Sequence, residues 1–352
     1  MVYFLIKLIQ AINALAIILK PSRNLLICSF IFQLFLWITL LLSRDIFASN
    51  DSINYFNMFR RSNDFSYAMS VYHKDYFYSL LNFLVAVTLG DFESLVSILA
   101  ISSCFMIAWS CVKSDLNLSN IFLMFFMYTM ISSTSLLFTN VLRQGLAQAL
   151  FLLSIIYLLK NRYSIFLCFA VLASLSHKST FVIYAVIGIF YFLPKLSRNS
   201  LYALAGLAFC FVALGIDQFF FIDLDIFGQK KRFEKFLINP NPNFYLKLSL
   251  SLIVPIYALI YRQAFSSLKS EKIFRLYMII LSLCLFASGS EQLSARFLYF
   301  LDFLTPLIIC YEIQTLEDRF QLKLREVAIF FTVTYGLVVV AYHPSVMSQF
   351  IR

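Results

Sequence analysis

The chain has 352 residues, of which 61% are hydrophobic and 13% are charged, and its mean hydropathy is +0.83. So little charge cannot cover a water-facing surface, so the composition excludes a soluble globular protein and indicates a membrane protein. The net charge of +10 does not indicate nucleic-acid binding. The basic residues lie in short segments between apolar runs, where they set the orientation of membrane spans.

Long apolar runs follow one another along the chain without the alternating polar residues of a barrel strand, so they predict helices. The first run is expected to be a span and not a removable signal peptide, because no small-residue cleavage pattern follows it before Lys20. The predicted fold is all-α, a polytopic transmembrane bundle of about twelve spans with a re-entrant helix at 76–90. The runs lie at 3–19, 24–42, 76–90, 92–112, 119–138, 142–159, 163–176, 179–193, 200–221, 244–261, 273–289, 297–311 and 326–342.

The run at 76–90 decides the topology. It is short and contains Ser79 and Asn82, so it is as consistent with a re-entrant helix as with a crossing. If it does not cross, every predicted cytoplasmic turn carries Lys or Arg, and both termini lie outside. If it crosses, the basic turns move outside, so the sequence favours the re-entrant interpretation.

Two long outer segments, 43–75 and 222–243, lie within what is predicted to be a single transmembrane domain covering residues 1–352. The first mixes aromatic and polar residues and is expected to form an amphipathic helix at the outer interface. The second carries a basic cluster beside phenylalanines, which suits an anionic lipid-linked ligand. The cluster consists of Lys230, Lys231, Arg232 and Lys235.

Two apolar runs, at 144–159 and 163–176, predict an antiparallel transmembrane hairpin that begins at Arg143 and ends at His177. Both residues then lie on the same, outer side of the membrane. Arg143 is expected to bind phosphate there, and His177 is expected to accept a proton. Gln144 continues the polar stripe from the arginine, and Lys178 and Ser179 flank the histidine. The alternatives are an arginine that snorkels to headgroups and a histidine that only ends a helix.

Further candidates lie on the same predicted side. Glu291 and Arg296 precede and open a later span, although an ion pair between them is an equally good interpretation. The first outer loop adds five residues, namely Arg44, Asp45, Asp51, Tyr55 and Asp75. The seven cysteines fall in or beside apolar runs without metal-ligand spacing, and they are expected to be buried fillers with no disulfide, metal or cofactor. Nucleotide-binding and hydrolase motifs are absent from the sequence.

The order of these residues resembles the EpsG and Wzy-type polysaccharide polymerases. The pattern R-Q-x-x-A, span, basic turn, span and H-x-S reads here as Arg143, Gln144, Ala147, His177 and Ser179. An upstream arginine followed by D-x-x-x-Y and an acidic position reads as Arg44, Asp51, Tyr55 and Asp75. Family members often have Glu-Pro-Gly at the last point, where this chain has Lys74-Asp75-Tyr76-Phe77. The resemblance covers about residues 1–310.

The resemblance implies a metal-independent glycosyltransferase with a GT-C-type membrane architecture. It would join undecaprenyl-pyrophosphate-linked repeat units into surface polysaccharide such as O-antigen or capsule, on the outer face of the bacterial cytoplasmic membrane. Its partners would be the lipid-linked donor and acceptor, membrane lipids and a chain-length regulator, with no nucleic acid. Arg143 and Arg296 would stabilise the departing pyrophosphate, and His177, Glu291 or Asp51 would accept the hydroxyl proton.

Three alternatives stay open. A glycan ligase would use the same donor with another acceptor. A flippase for lipid-linked oligosaccharides would place charges along a cavity through the membrane, whereas the spans here are nearly free of charge. A structural assembly subunit would leave the outer cations without a shared pocket.

Overall fold

The computed structural model confirms the all-α prediction, since its regular structure is helical throughout the described ranges. The described residues are 2–19, 22–46, 50–71, 75–131, 141–192, 197–214, 242–261, 263–288, 291–320, 327–329 and 331–333. Helices satisfy their backbone groups within one segment, which is what an apolar environment demands.

The helices are numbered in chain order, and four of them, α2, α6, α8 and the larger part of α15, are long and apolar enough to cross a membrane. Several others are apolar but shorter, so the total of about twelve spans stays a prediction. The helices are α1 (Val2–Leu19), α2 (Arg23–Leu42), α3 (Asn50–Phe59), α4 (Phe65–Val71), α5 (Tyr76–Thr88), α6 (Phe92–Val112), α7 (Leu118–Met130), α8 (Leu142–Leu159), α9 (Tyr163–Ser176), α10 (Lys178–Phe192), α11 (Arg198–Ala213), α12 (Pro242–Ser251), α13 (Ile253–Ile260), α14 (Leu268–Phe286) and α15 (Glu291–Phe320).

One predicted span, 244–261, is interrupted, and α12 gives way to α13 at Leu252. Pro255 explains the break, because proline has no N–H to bond the carbonyl of Ser251, four residues earlier. That carbonyl instead accepts a hydrogen bond from the hydroxyl of Tyr277 at 2.9 Å. The interruption is therefore stabilised by a neighbouring helix.

Two other helices differ in their bounds from the predicted runs. Helix α14 begins at Leu268, five residues before the predicted run, because Ser267 caps it by accepting the backbone N–H of Ser270 at 3.1 Å. Helix α15 extends to Phe320, beyond the predicted run at 297–311. Most of the run predicted at 326–342 lies outside the described residues.

The chain divides into two compact units, Met1–Phe181 with Ile309–Arg352, and Val182–Ile308. The single transmembrane domain stays a prediction. In the second unit, α11 packs along α14, and Arg198 at the start of α11 forms an ion pair of 2.6 Å with Glu271 in the first turn of α14. The two helices therefore run in the same direction.

The first unit contains the predicted hairpin, as α8 and α9. The two helices pack along each other, and Tyr157 stacks on Phe169 with ring centroids 5.8 Å apart. Asn161 adopts the left-handed conformation (φ 56°) in the connecting turn, which asparagine tolerates better than most residues. Most of α8 is buried, so this helix is the centre of the unit.

The ends of this bundle can be assigned from polar contacts. Helix α6 packs along α8, and Asp115 just after α6 pairs with Lys160 at the end of α8 at 2.6 Å. At the same end, Gln314 of α15 accepts the backbone N–H of Asn117 at 3.0 Å. The N-terminal ends of α6 and α8 therefore lie together at the opposite end.

Helices α3, α4 and α5 form a layer at that opposite end. Tyr55 of α3 packs edge-on against Tyr78 at the start of α5, with ring centroids 6.0 Å apart. Phe56, the next residue of α3, packs against Phe92 at the start of α6, with centroids 5.8 Å apart. Both ends of α5, a helix about 20 Å long, thus lie at one end of the bundle. This is the path that a non-crossing run at 76–90 requires.

Helix α3 has the amphipathic pattern expected for the first outer loop. Ser52, Tyr55 and Phe59 are buried, whereas Asp51 and Asn57 are exposed. Buried positions separated by three and four residues face one side of a helix.

The cysteines differ from the prediction that all of them are buried. Cys104, Cys111, Cys284 and Cys310 are buried, but Cys28, Cys168 and Cys210 are exposed on helix surfaces. The difference has a physical reason, because an apolar run predicts a helix that avoids water without distinguishing its protein-facing side from its lipid-facing side.

Candidate active site

The centre of the candidate site is the carboxylate of Asp75, which is 1% exposed. Asp75 occupies the N-cap position of α5, yet its side chain makes no capping hydrogen bond to that helix. One carboxylate oxygen, Oδ2, lies 2.6 Å from Nη1 of Arg143 and 3.6 Å from Nδ1 of His177. The other, Oδ1, accepts the backbone N–H of Lys178 at 3.0 Å. Three separate parts of the chain therefore meet at one buried anion.

Arg143 lies in the first turn of α8 and is held by two partners. Besides pairing with Asp75, it donates from Nε to the hydroxyl of Tyr55 over 3.4 Å. Its guanidinium carbon also lies 5.5 Å from the centroid of the Tyr55 ring, within range of a cation–π contact. The Arg143 side chain is 23% exposed, so the guanidinium remains reachable from outside.

His177 separates α9 from α10. Its extended conformation (φ −157°, ψ 123°) ends α9, and α10 begins at the next residue. The first free N–H of α10, that of Lys178, therefore points at Asp75. The partial positive charge of a helix N-terminus stabilises a carboxylate placed there.

Tyr55 and Arg44 extend the cluster towards the outer layer. Burial raises the pKa of the Tyr55 phenol, an effect that the Arg143 guanidinium only partly offsets, so Tyr55 is neutral at physiological pH. Burial lowers the pKa of Arg44 to about 10, against an opposing effect of Tyr78. Arg44 is therefore still charged at neutral pH and interacts electrostatically with Tyr78, which packs against Tyr55.

The structure brings together most of the residues expected in the first unit, but not all of them. Asp51 is exposed and lies one helical turn before Tyr55. Gln144 follows Arg143 in α8 and is buried. Lys178 contributes its backbone N–H, while its side chain is exposed. The remainder of the predicted set is elsewhere. Arg296 and Glu291 belong to the second unit, and Lys230, Lys231, Arg232 and Lys235 lie outside the described residues.

Sequence reasoning treated Asp75 as one of several loop residues and missed Thr180 altogether. The Thr180 hydroxyl and that of neighbouring Ser179 are buried and have no hydrogen-bond partner within the described ranges. Their side chains belong to the first turn of α10, beside the cluster. The only sequence signal for Thr180 was its place directly after the H-x-S pattern.

This arrangement suits binding of an anion together with proton transfer. The Asp75 carboxylate lies 3.6 Å from Nδ1 of His177, beyond hydrogen-bond distance. Shortening of this contact would orient the imidazole with Nε2 as the proton acceptor. The partly exposed guanidinium can donate to phosphate oxygens.

A family model, that of the EpsG family, matches residues 24–351, which is nearly the whole chain. No curated protein and no solved structure matches this chain.

Proposed function

Because the chain belongs to the EpsG family, of the EpsG/Wzy polysaccharide polymerase type, we propose that it joins lipid-linked oligosaccharide repeat units into polysaccharide by glycosyl transfer. The donor is a glycan attached to a polyprenyl pyrophosphate, and the acceptor is the sugar of a second lipid-linked unit. The observation that carries the proposal is the buried carboxylate of Asp75, which contacts both Arg143 and His177.

In the proposed reaction, a hydroxyl oxygen of the acceptor attacks the anomeric carbon of the donor. A new carbon–oxygen bond forms as the bond to the pyrophosphate breaks, and the pyrophosphate leaves with the electron pair. The hydroxyl proton passes to Nε2 of His177, whose Nδ1 faces Asp75 at 3.6 Å. Such contacts are often long before substrate binds and shorten in the productive complex.

Arg143 has the role of stabilising the charge that develops on the leaving pyrophosphate. Asp75 and Tyr55 hold its guanidinium in place, so little reorganisation is needed when that charge appears. A planar guanidinium can bind two oxygens of a phosphate at once, which a lysine ammonium cannot do in the same geometry. Asp75 is therefore a positioning residue for both Arg143 and His177.

The contacts within the first unit also support a site on the outer membrane face. Asp75, Arg143 and His177 were all assigned to the outer side by the distribution of basic turns, and they meet at one end of the bundle. Asp115 and Lys160 follow the runs 92–112 and 142–159, in turns that this topology predicts to be cytoplasmic, and they meet at the other end. We propose that the protein resides in the bacterial cytoplasmic membrane with the Asp75 end outward.

Deletion and complementation test this function. Loss of the gene should collapse the ladder of cell-surface polysaccharide to single repeat units, and wild-type protein should restore it. Purified protein in lipid nanodiscs should then lengthen a lipid-linked repeat unit supplied as both donor and acceptor. Transfer only to a different acceptor would identify a ligase, and repeat units that never reach the outer face would identify a flippase.

A further inference from the structure

A cavity lies at the Asp75 end of the first unit. It has a volume of about 530 Å³, within the usual range for small-molecule sites. Helix α3 forms one wall, and the turn between α5 and α6 forms the other. Asp75 begins α5 and Gly90 follows its end, so the length of that helix, about 20 Å, separates Asp75 from the Gly90 wall of the cavity. Phe56 in the other wall directly follows Tyr55 of the cluster.

The apolar part of the cavity is a group of three phenylalanine rings. Phe92 lies with its ring centroid 5.8 Å from that of Phe56 and 5.7 Å from that of Phe59. These rings line the cavity without a polar group of their own. Phe59 and Phe92 are buried and Phe56 is partly exposed, so Phe56 offers the apolar surface against which the carbon–hydrogen face of a sugar ring can pack.

The polar part combines a cation, an amide and carboxylates, contributed by Arg60, Asn63, Asp91 and Glu93. Asp91 is already engaged, since it caps α6 through Ser94 at 2.6 Å. Arg60 and Glu93 are exposed, and neither forms a salt bridge within the part of the chain that the structure describes. Two carboxylates beside one guanidinium disfavour a phosphate, whereas the mixture of donors and acceptors suits neutral hydroxyl groups.

Gly90 lines the cavity in the turn between α5 and α6. Its φ of +77° lies in the region that favours glycine, although a Cβ there would meet no atom within 4 Å. The glycine is thus required by the backbone of the turn and not by crowding. The turn places Asp91 and Phe92 in the cavity wall immediately afterwards.

We propose that this cavity is a saccharide-binding subsite, which holds a sugar of the lipid-linked glycan several units away from the bond being made. The inference rests on the proposed polymerase function and adds a binding site to it. Retention of the glycan between transfers would lengthen the product without changing the chemistry at Arg143 and His177.

The experiment compares Arg60→Gln and Glu93→Gln with the control Arg61→Gln. Arg61 is exposed and follows Arg60 directly, but it does not line the cavity. All three variants remove one exposed charge, so each should fold, which expression level and size-exclusion profile verify. The probe is the oligosaccharide released by mild acid from the producing strain, which lacks lipid and pyrophosphate, and saturation-transfer NMR on nanodisc-embedded protein measures its binding.

Wild type and Arg61→Gln should bind the oligosaccharide, and Arg60→Gln and Glu93→Gln should bind it about tenfold more weakly. The two cavity variants should also make shorter polymer while forming the first linkage at the normal rate. Wild-type binding and length in both would overturn the subsite and leave the polymerase function intact. If deletion of the gene leaves the polysaccharide ladder unchanged, the polymerase function fails, and probe binding that depends on Arg60 would still support the subsite.

Discussion

Replacing Asp75 by asparagine tests the centre of the site with little change in shape. An amide offers one oxygen where the carboxylate offers two, so it cannot accept from both Nη1 of Arg143 and the N–H of Lys178. Whichever way the amide faces, one donor meets another donor. Breaking a fully buried ion pair costs about 3–5 kcal/mol, and burying an unsatisfied donor costs about 1–3 kcal/mol.

Arg143 is 23% exposed, so water recovers part of that loss and we expect a net effect of about 2–3 kcal/mol. If Asp75 positions Arg143 and His177 for the reaction, this corresponds to a roughly 30- to 160-fold slower transfer per folded molecule. The assay measures the rate of linkage formation in nanodiscs and normalises it to the folded fraction.

The matched control is Asp115→Asn, which alters an ion pair of the same 2.6 Å length at the opposite end of the unit. Asp115 is 42% exposed, and pairs of that kind contribute about 0–1 kcal/mol, so transfer should stay near the wild-type rate. A normal transfer rate per folded Asp75→Asn molecule, accompanied by a lower unfolding temperature, would refute the positioning role and leave Asp75 as a purely structural anchor.

Three further predictions concern the same end of the molecule. Arg143→Lys keeps the charge but should shorten the polysaccharide ladder severely, because an ammonium cannot reproduce the planar fork; wild-type lengths at normal expression would favour an arginine that only snorkels. In a cysteine-free background, Lys178→Cys should react with a membrane-impermeant thiol reagent added outside, and Asn161→Cys should not, since these exposed positions lie at opposite ends of the α8–α9 hairpin. Labelling in the reverse pattern would move the site to the cytoplasmic face. Tyr55→Phe loses only a 3.4 Å hydrogen bond to Arg143 and should slow transfer less than about fivefold. Tyr55→Leu also loses the aromatic ring beside the guanidinium and should slow transfer more. Equal transfer rates for the two variants would show that the ring contributes nothing.

The hairpin shows why part of the site could be predicted from the sequence. Two apolar helices of similar length joined by a tight turn return the chain to the end at which it started, so Arg143 and His177 had to lie near each other. The structure confirms this, because both contact the same carboxylate. Prediction of this antiparallel geometry required only the lengths of the two helices and the position of the basic turn.

The central position of Asp75 in the candidate site could not be predicted in the same way. Its burial depends on α5 remaining at one end of the bundle and on α10 beginning at Lys178, so that a backbone N–H faces the carboxylate. Neither condition can be read from residues near Asp75 itself. The break at Leu252 is a similar case, since Pro255 makes it favourable but the hydroxyl of Tyr277 stabilises the freed carbonyl.

The sequence by itself determined that the chain is a helical membrane protein, which segments are apolar and which candidate site residues share an end of the hairpin. Composition and helical periodicity decide these properties because they depend on the solvent and on neighbours a few residues apart. Only the tertiary structure decided that Asp75 joins Arg143 to His177, and that Phe92 closes a cavity against α3. These contacts join residues far apart in the chain, and their distances follow from how whole helices pack, which no local pattern encodes.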